Sequence, residues 1–177
     1  DFRKAGFFRI LQSKRYGGYE HAPTTLYKVL ITLASGCPSS SWVLMVIAVH
    51  NLEIEYMDPR CGQDIWGPNT DVRLSSSYVP FGKVKRVDGG FTLTGRWNYS
   101  SGSDHCDWAL LGGMVDIGHE FPEWKAFLIP RADYTIDHES WNVFGLAGSG
   151  SKDIVLKGEV FVPEYRAHTF VPARGRM

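Results

Sequence analysis

A change of hydrophobic period at Gly67-Pro68-Asn69 constrains this chain more than any other feature. Before that turn cluster apolar residues recur at helical spacing; after it they recur at every second residue, and the two patterns do not mix. Helices followed by strands, with no βαβ alternation, predict an α+β fold in which the helical and sheet segments are segregated.

Leu26, Val29, Leu30 and Leu33 stand at i, i+3, i+4 and i+7 behind Pro23, which predicts a helix over 23–36. Pro38 and the serines 39–41 start a second helix carrying Trp42, Met45, Val46, Val49 and His50. It is apolar nearly all round and is therefore expected to be central. Asp58-Pro59-Arg60 ends it, and a short helical piece spans 63–66. Beyond the boundary, 83–87 and 91–94 flank Asp88-Gly89-Gly90, a hairpin signal because glycine tolerates positive φ. Further strands are expected at 97–100, 108–115, 124–129 and 154–162, together forming an antiparallel sheet.

With 177 residues the chain can bury a sizeable core. Lysine plus arginine and aspartate plus glutamate both total 19, so no net field draws it to nucleic acid or an acidic membrane. The longest apolar run, 42–49, falls far short of the roughly 20 residues of a membrane span. Cys37, Cys61 and Cys106 are an odd number without framework spacing, which suits a reducing cytoplasm. Phe2, Phe7, Phe8 and Leu11 suggest a helix already under way, and 171–177 trail off without a pattern, so the chain is expected to be part of a longer one.

Four segments could carry chemistry. Ser75, Ser76 and Ser77 follow Arg73-Leu74 on a strand and put hydroxyls on both faces, so either a polar ligand meets them or the strand is a solvated edge. The run 95–104, with Ser100, Ser101 and Ser103, ends a strand in a glycine-bearing turn beside Trp97 and Tyr99; hydroxyls and backbone N–H groups next to flat rings suit a planar heterocycle such as a flavin, or merely decorate a turn. His50 closes the apolar run, where an imidazole is either paired in the core or poised in a pocket to move a proton. Trp42 lies two helical turns earlier near the same face. Asp104-His105-Cys106-Asp107 reads as extended chain whose neighbours point apart, so no metal is expected there. The glycine-rich 145–151 leads into a strand rather than a helix and is a weak phosphate signal.

The runs GFFRILQSKRYGGYE, SSSWVLMVIAVHN, DPRCGQDIWG, RLSSSYVPFG, VDGGFTLTGRWNYSSGSDHCDWALLGG and VFGLAGSGSKDIVLKGEVFVP together resemble the oxygenase components of two-component flavin-dependent monooxygenases with the acyl-CoA dehydrogenase fold. Within that family the chain is most similar to hydroxylases of phenolic rings, such as the 3-hydroxy-9,10-seco-androstatrienedione 4-hydroxylases and the 4-hydroxyphenylacetate 3-hydroxylases. The resemblance implies that 1–68 are the later part of an N-terminal helical domain, 69–165 a middle antiparallel β-barrel that contacts the flavin, and 166–177 the start of a linker to a C-terminal helical bundle outside this chain.

It further implies reduced FMN or FAD delivered by a separate flavin reductase, O2 and a small phenol as substrates, ortho-hydroxylation through a C4a-hydroperoxyflavin, and a cytoplasmic homotetramer. Carried over by motif, Ser101 matches the hydroxyl at flavin N5 and Tyr99 the aromatic residue on the ring. Ser75, Ser76 and Ser77 match the strand at the pyrimidine edge and substrate side, His50 the histidine beside the phenol oxygen, and Trp42 the tryptophan beside the flavin pocket. His50 and Ser101 are thus the implied catalytic pair. An acyl-CoA dehydrogenase would share the fold, and a non-catalytic β-module is the reading from another class; the histidine and the serine triplet favour the monooxygenase.

Overall fold

The computed structural model describes residues 1–118 and 120–169. As the change of period predicts, helices come first: α1 (Pro23–Ala34), α2 (Pro38–Ile54) and α3 (Pro59–Trp66). Each opens on a proline, whose missing N–H costs nothing in the first turn and whose fixed φ suits the helix. Asp58 caps α3, its carboxylate accepting from Arg60 N at 2.9 Å. The expected N-terminal helix end is instead a 3-10 turn, Phe7–Arg9, because Gly6 enters the left-handed region at φ 77° and breaks any helical run. Phe2 packs edge-on against Phe7 at 5.3 Å between ring centroids. Among the described residues no helix is long and apolar enough to cross a membrane.

The strands are β1 (Leu74–Val87), β2 (Gly90–Thr94), β3 (Arg96–Ser100), β4 (Trp108–Val115), β5 (Glu123–Pro130), β6 (Tyr134–Asp137), β7 (Lys152–Leu156), β8 (Val160–Pro163) and β9 (Ala167–His168). They form a six-stranded sheet, β8-β2-β1-β4-β5-β9, and a three-stranded sheet, β3-β7-β6. The serine triplet does not lie on a solvated edge: β1 is interior, flanked by β2 and β4. Nor is the sheet wholly antiparallel, since β1 and β4 pair in parallel. The chain turns back from β1 into β2, crosses to the small sheet as β3, and returns as β4 on the other side of β1 in the same direction. The expected single strand 154–162 is likewise two, split around Gly158 at φ 97°, with β7 in one sheet and β8 in the other.

Alternation along the strands divides the core. Ala109, Leu111, Phe127 and Ile129 face the small sheet, where Trp97, Tyr134, Ile136 and Ile154 meet them. Leu74, Leu110, Ala126 and Leu128 face the opposite way and pack on Ile54, Ile65 and Trp66 of the helices. Leu44 and Ala48 of α2 join Leu26 of α1 and Ile10 and Leu11 in a further cluster, which makes α2 the central helix its composition predicts. The order of layers is therefore helices, large sheet, small sheet. The segment 166–177 begins with the end of a 3-10 turn and β9, which pairs with β5; residues 170–177 of the expected linker lie outside the described residues.

A bulge shapes the outer half of β1. Pairing with β4 shifts register between Ser77 and Gly82, and Pro80, which cannot donate to a ladder, sits inside that interruption. The bulge is held tightly: a Cβ on Gly112 would stand 2.3 Å from Tyr78 O, so only glycine admits the crossing backbone. This distortion turns Tyr78 and Val79 toward α2.

Candidate functional site

A cavity of about 310 Å³ opens between α2, the start of β1 and the end of β3. That volume lies in the range of small-molecule sites. One wall is apolar, from Met45, Val46 and Val49 of α2 with Val79, and the other is polar, from Ser76, Ser77, Asn98 and Ser101. Trp42, His50, Ser76, Ser77, Tyr99 and Ser101, dispersed over sixty positions of sequence, all line it. Ser75 does not; it is fully buried one position before the cavity, beside the Cys106 thiol.

His50 sits in the penultimate turn of α2 and is almost wholly buried. Its Nδ1 lies 3.1 Å from Glu53 Oε2, three residues on, and 3.1 Å from Tyr78 Oη. The Tyr78 hydroxyl donates to the same Glu53 oxygen. Burial and the neighbouring Glu53 charge push the Tyr78 phenol up, so it stays a donor at any working pH. With Glu53 Oε2 as acceptor, Nδ1 carries a proton toward it, and Nε2 is left as the acceptor nitrogen. Among the described residues His50 Nε2 has no hydrogen-bond partner, although the residue lines the cavity, and Asn98 Oδ1, also in the lining, is a second buried acceptor without one.

Two turns before His50 on α2, the indole of Trp42 donates from Nε1 to Ser101 Oγ at 2.9 Å. Ser101 Oγ lies 2.7 Å from Ser151 Oγ, and Ser151 Oγ 2.8 Å from Ser149 Oγ. Ser77 Oγ donates to Asn98 O at 2.6 Å, tying β1 to β3 at the cavity rim. Tyr99 holds φ 63°, a left-handed conformation that costs an aromatic residue about 1–3 kcal/mol. It occurs where β3 slips register against β7 between Trp97 and Ser100. The twist swings the ring outward, two-thirds exposed, edge-on to Trp141 at 6.3 Å.

Glu53, Tyr78, Asn98, Ser149 and Ser151 were not singled out from sequence. Glu53 carried a signal, since a carboxylate three residues after a buried histidine faces it on a helix. The glycine-rich 145–151 proves to be a 3-10 turn, Ala147–Ser149, whose Ser149 O accepts from Gly102 N at 2.9 Å and so supports the Ser101 turn. Asp104 and His105 lie in a 3-10 turn, Ser103–His105, rather than on extended chain, and Asp104 pairs with Lys152 Nζ at 2.6 Å.

No family model matches the chain. It is 45% identical over 168 residues to the flavin-dependent monooxygenase oxygenase subunit HsaA of Rhodococcus jostii strain RHA1, covering 95% of this chain and 44% of that protein. It is 33% identical over 172 residues to the oxygenase component of the FADH(2)-dependent resorcinol hydroxylase of Rhizobium sp. strain MTP-10005, covering 97% of this chain and 42% of that protein. The crystal structure of the 3-HSA hydroxylase from Rhodococcus sp. RHA1 superposes with a TM-score of 0.88 at 45% identity, over 93% of this chain and 43% of that one. The chain thus spans less than half the length of these relatives. Over nearly all of its own residues, it is a homologue of the oxygenase components of flavin-dependent monooxygenases.

Proposed function

We propose that this chain carries one wall of the active site of a two-component, reduced-flavin-dependent aromatic monooxygenase that hydroxylates a small phenol ortho to its hydroxyl. The observation that carries the reading is the pairing across one cavity of a buried imidazole with an unpartnered Nε2 and a serine hydroxyl fixed by an indole N–H. Two relatives named for flavin-dependent oxygenation support it, one of them named for a phenolic substrate.

The residues present fit a flavin. The cavity is apolar along α2 and offers hydroxyl and amide groups along β1 and β3, which matches a flat ring with one polar edge. When bound, the reduced flavin, FMN or FAD handed over by a flavin reductase, supplies the activation of O2. Trp42 and Tyr99 would flank the ring and keep water from it, and Ser101 would hydrogen-bond it while Ser76 and Ser77 would hold its pyrimidine side. His50 Nε2 accepts the proton of the phenol, and the resulting phenolate is the stronger nucleophile at its ortho carbon. Glu53 and Tyr78 hold His50 in the tautomer that does this.

In this reading residues 1–68 complete an N-terminal helical domain, the two stacked sheets within 69–165 form the middle β-barrel of an acyl-CoA dehydrogenase-like fold, and a helical bundle following this segment closes the flavin site and builds a tetramer. The compartment is the cytoplasm, consistent with Cys37, Cys61 and Cys106 all being free thiols.

The test is product formation by the full-length protein supplied with chemically reduced FMN or FAD, O2 and a panel of phenols. A gain of one oxygen by mass spectrometry is expected. Flavin bleaching by an acyl-CoA in place of phenol hydroxylation would transfer the protein to the dehydrogenases.

A further inference from the structure

We propose that Ser151 and Ser149 are positioning residues that make the Ser101 hydroxyl a hydrogen-bond donor into the cavity, so that this point of the site selects a ligand atom able to accept. The proposal rests on the flavin reading above, but concerns a property which that reading leaves open: where the Ser101 proton goes.

Hydrogen-bond accounting decides the direction. Ser101 Oγ receives the Trp42 indole N–H, a group that only donates. Beyond it, the three oxygens of Ser101, Ser151 and Ser149 form a line with spacings of 2.7 and 2.8 Å. Each hydroxyl has one proton, so the two contacts can be made in three ways; if Ser151 accepts from both neighbours, its own proton has no acceptor among the described residues. Run inward, Ser101 donates to Ser151 and Ser151 to Ser149; the Ser149 proton then has no acceptor, because Ser149 Oγ has no other hydrogen-bond partner among the described residues and is almost fully buried. A buried hydroxyl proton without an acceptor is strongly disfavoured. Run outward, Ser149 donates to Ser151 and Ser151 to Ser101. Ser101 Oγ then accepts from both the indole and Ser151, and its own proton is free for the cavity that the residue lines. With a reduced flavin in place, whose N5 carries a hydrogen, the acceptor would be a carbonyl oxygen on its polar edge.

The backbone keeps this line in register. Gly102 N donates to Ser149 O at 2.9 Å, and the 3-10 turn Ala147–Ser149 between Leu146 and Gly150, both left-handed, brings Ser149 and Ser151 beneath Ser101.

The two directions predict opposite signs for one substitution, which makes the proposal testable by binding alone. The dissociation constant of the full-length protein for FMN and for FAD would be measured by anaerobic equilibrium dialysis of the reduced flavins. Ser151→Ala is expected to weaken binding about five- to tenfold, the worth of one hydrogen bond to a positioned donor. Ser151→Thr, which keeps the hydroxyl, is expected to bind like wild type. Ser151→Cys keeps volume but donates poorly, so it should follow Ser151→Ala and serves where the alanine variant does not fold. In a Ser101→Ala background, Ser151→Ala should add nothing.

Unchanged or tighter binding by both Ser151→Ala and Ser151→Cys would overturn the proposal, since loss of Ser151 would then have released a proton that it had been holding. A full effect of Ser151→Ala in the Ser101→Ala background would overturn it as well, by assigning Ser151 a merely structural part. If wild type bound neither flavin, the flavin reading itself would fall and take this proposal with it.

Discussion

Glu53 Oε2 lies 3.1 Å from His50 Nδ1, one turn along α2, and the same oxygen accepts the phenolic proton of Tyr78 from β1. A single carboxylate oxygen therefore joins the central helix to the interior strand and fixes which nitrogen of His50 is free to act on a ligand. Glu53→Ala removes the acceptor that His50 Nδ1 and the Tyr78 hydroxyl share and is expected to cost about 1–3 kcal/mol in chemical denaturation. Glu53→Gln keeps the volume, but its amide can donate to Nδ1 and so move the imidazole proton to Nε2. We expect a folded protein whose phenol hydroxylation falls roughly 100-fold in kcat, the range of a lost general base, with KM little changed. A wild-type kcat in Glu53→Gln would remove the pair from the mechanism.

Tyr99 trades stability for position. Its φ of 63° is a conformation glycine adopts freely, so Tyr99→Gly relieves about 1–3 kcal/mol of strain while adding roughly 0.5–1 kcal/mol of unfolded-state entropy. The ring is largely exposed, so little burial is lost. The melting temperature of Tyr99→Gly is expected to equal or exceed that of wild type, whereas flavin affinity falls. A lower melting temperature with unchanged affinity would mean that the ring serves the fold and not the ligand.

The thiols separate by environment. Burial pushes the Cys61 thiol up to about 12, and burial also raises Cys106, whereas Ser40 donating to Sγ at 3.1 Å lowers the exposed Cys37. Iodoacetamide at pH 8 followed by peptide mapping should label Cys37 first and leave Cys61 and Cys106 unmodified until the protein unfolds. Because the folded state favours the neutral Cys61 thiol, its contribution is whole below the ordinary value of 9.0 and is lost as pH rises from there toward about 12. Stability should thus decline on the alkaline side, and less steeply in Cys61→Ala after correction for the cavity that substitution leaves. Equal alkaline slopes would sink the assignment.

α1 and α2 were legible because one face or all faces of each repeat at 3.6 residues and a proline marks each start, whereas Pro59, read only as part of the stop after α2, opens α3 four residues before the expected 63–66. Strand positions were mostly legible too, down to the hairpin at Gly89. What local pattern could not show was partnership. Nothing in 73–78 says that β4 returns beside β1 in parallel, since that depends on β3 first leaving for the other sheet. The same limit applies to the site. Glu53 was readable at helical spacing from His50, but Tyr78 reaches them only through the bulge after Ser77, and Ser151 meets Ser101 across fifty positions of sequence.

The serine triplet gives the sharpest separation of what sequence suggests from what geometry allows. Taken as a run, Ser75, Ser76 and Ser77 are equivalent; in the fold, Ser76 and Ser77 line the cavity and Ser75 does not. Alternation puts Ser75 on the same face of β1 as Ser77 and opposite Ser76, so what sets Ser75 apart is its place further along the interior strand, buried in the core beside Cys106. Among the described residues Ser75 Oγ has no oxygen or nitrogen partner and touches only the weakly bonding Cys106 thiol, so Ser75→Ala removes a buried hydroxyl that gains little from its surroundings. We expect it to be neutral or stabilising within about 1 kcal/mol and to leave flavin affinity and phenol turnover unchanged. Ser76→Ala, at the cavity wall, should weaken flavin or substrate binding severalfold while leaving the melting temperature within a few degrees. Ser77→Ala should weaken binding and also lower the melting temperature, because its hydroxyl ties β1 to Asn98 O. Dissociation constants and melting curves for the three single variants would decide the matter, and a loss of affinity in Ser75→Ala equal to that in Ser76→Ala would show that the triplet acts as one surface after all.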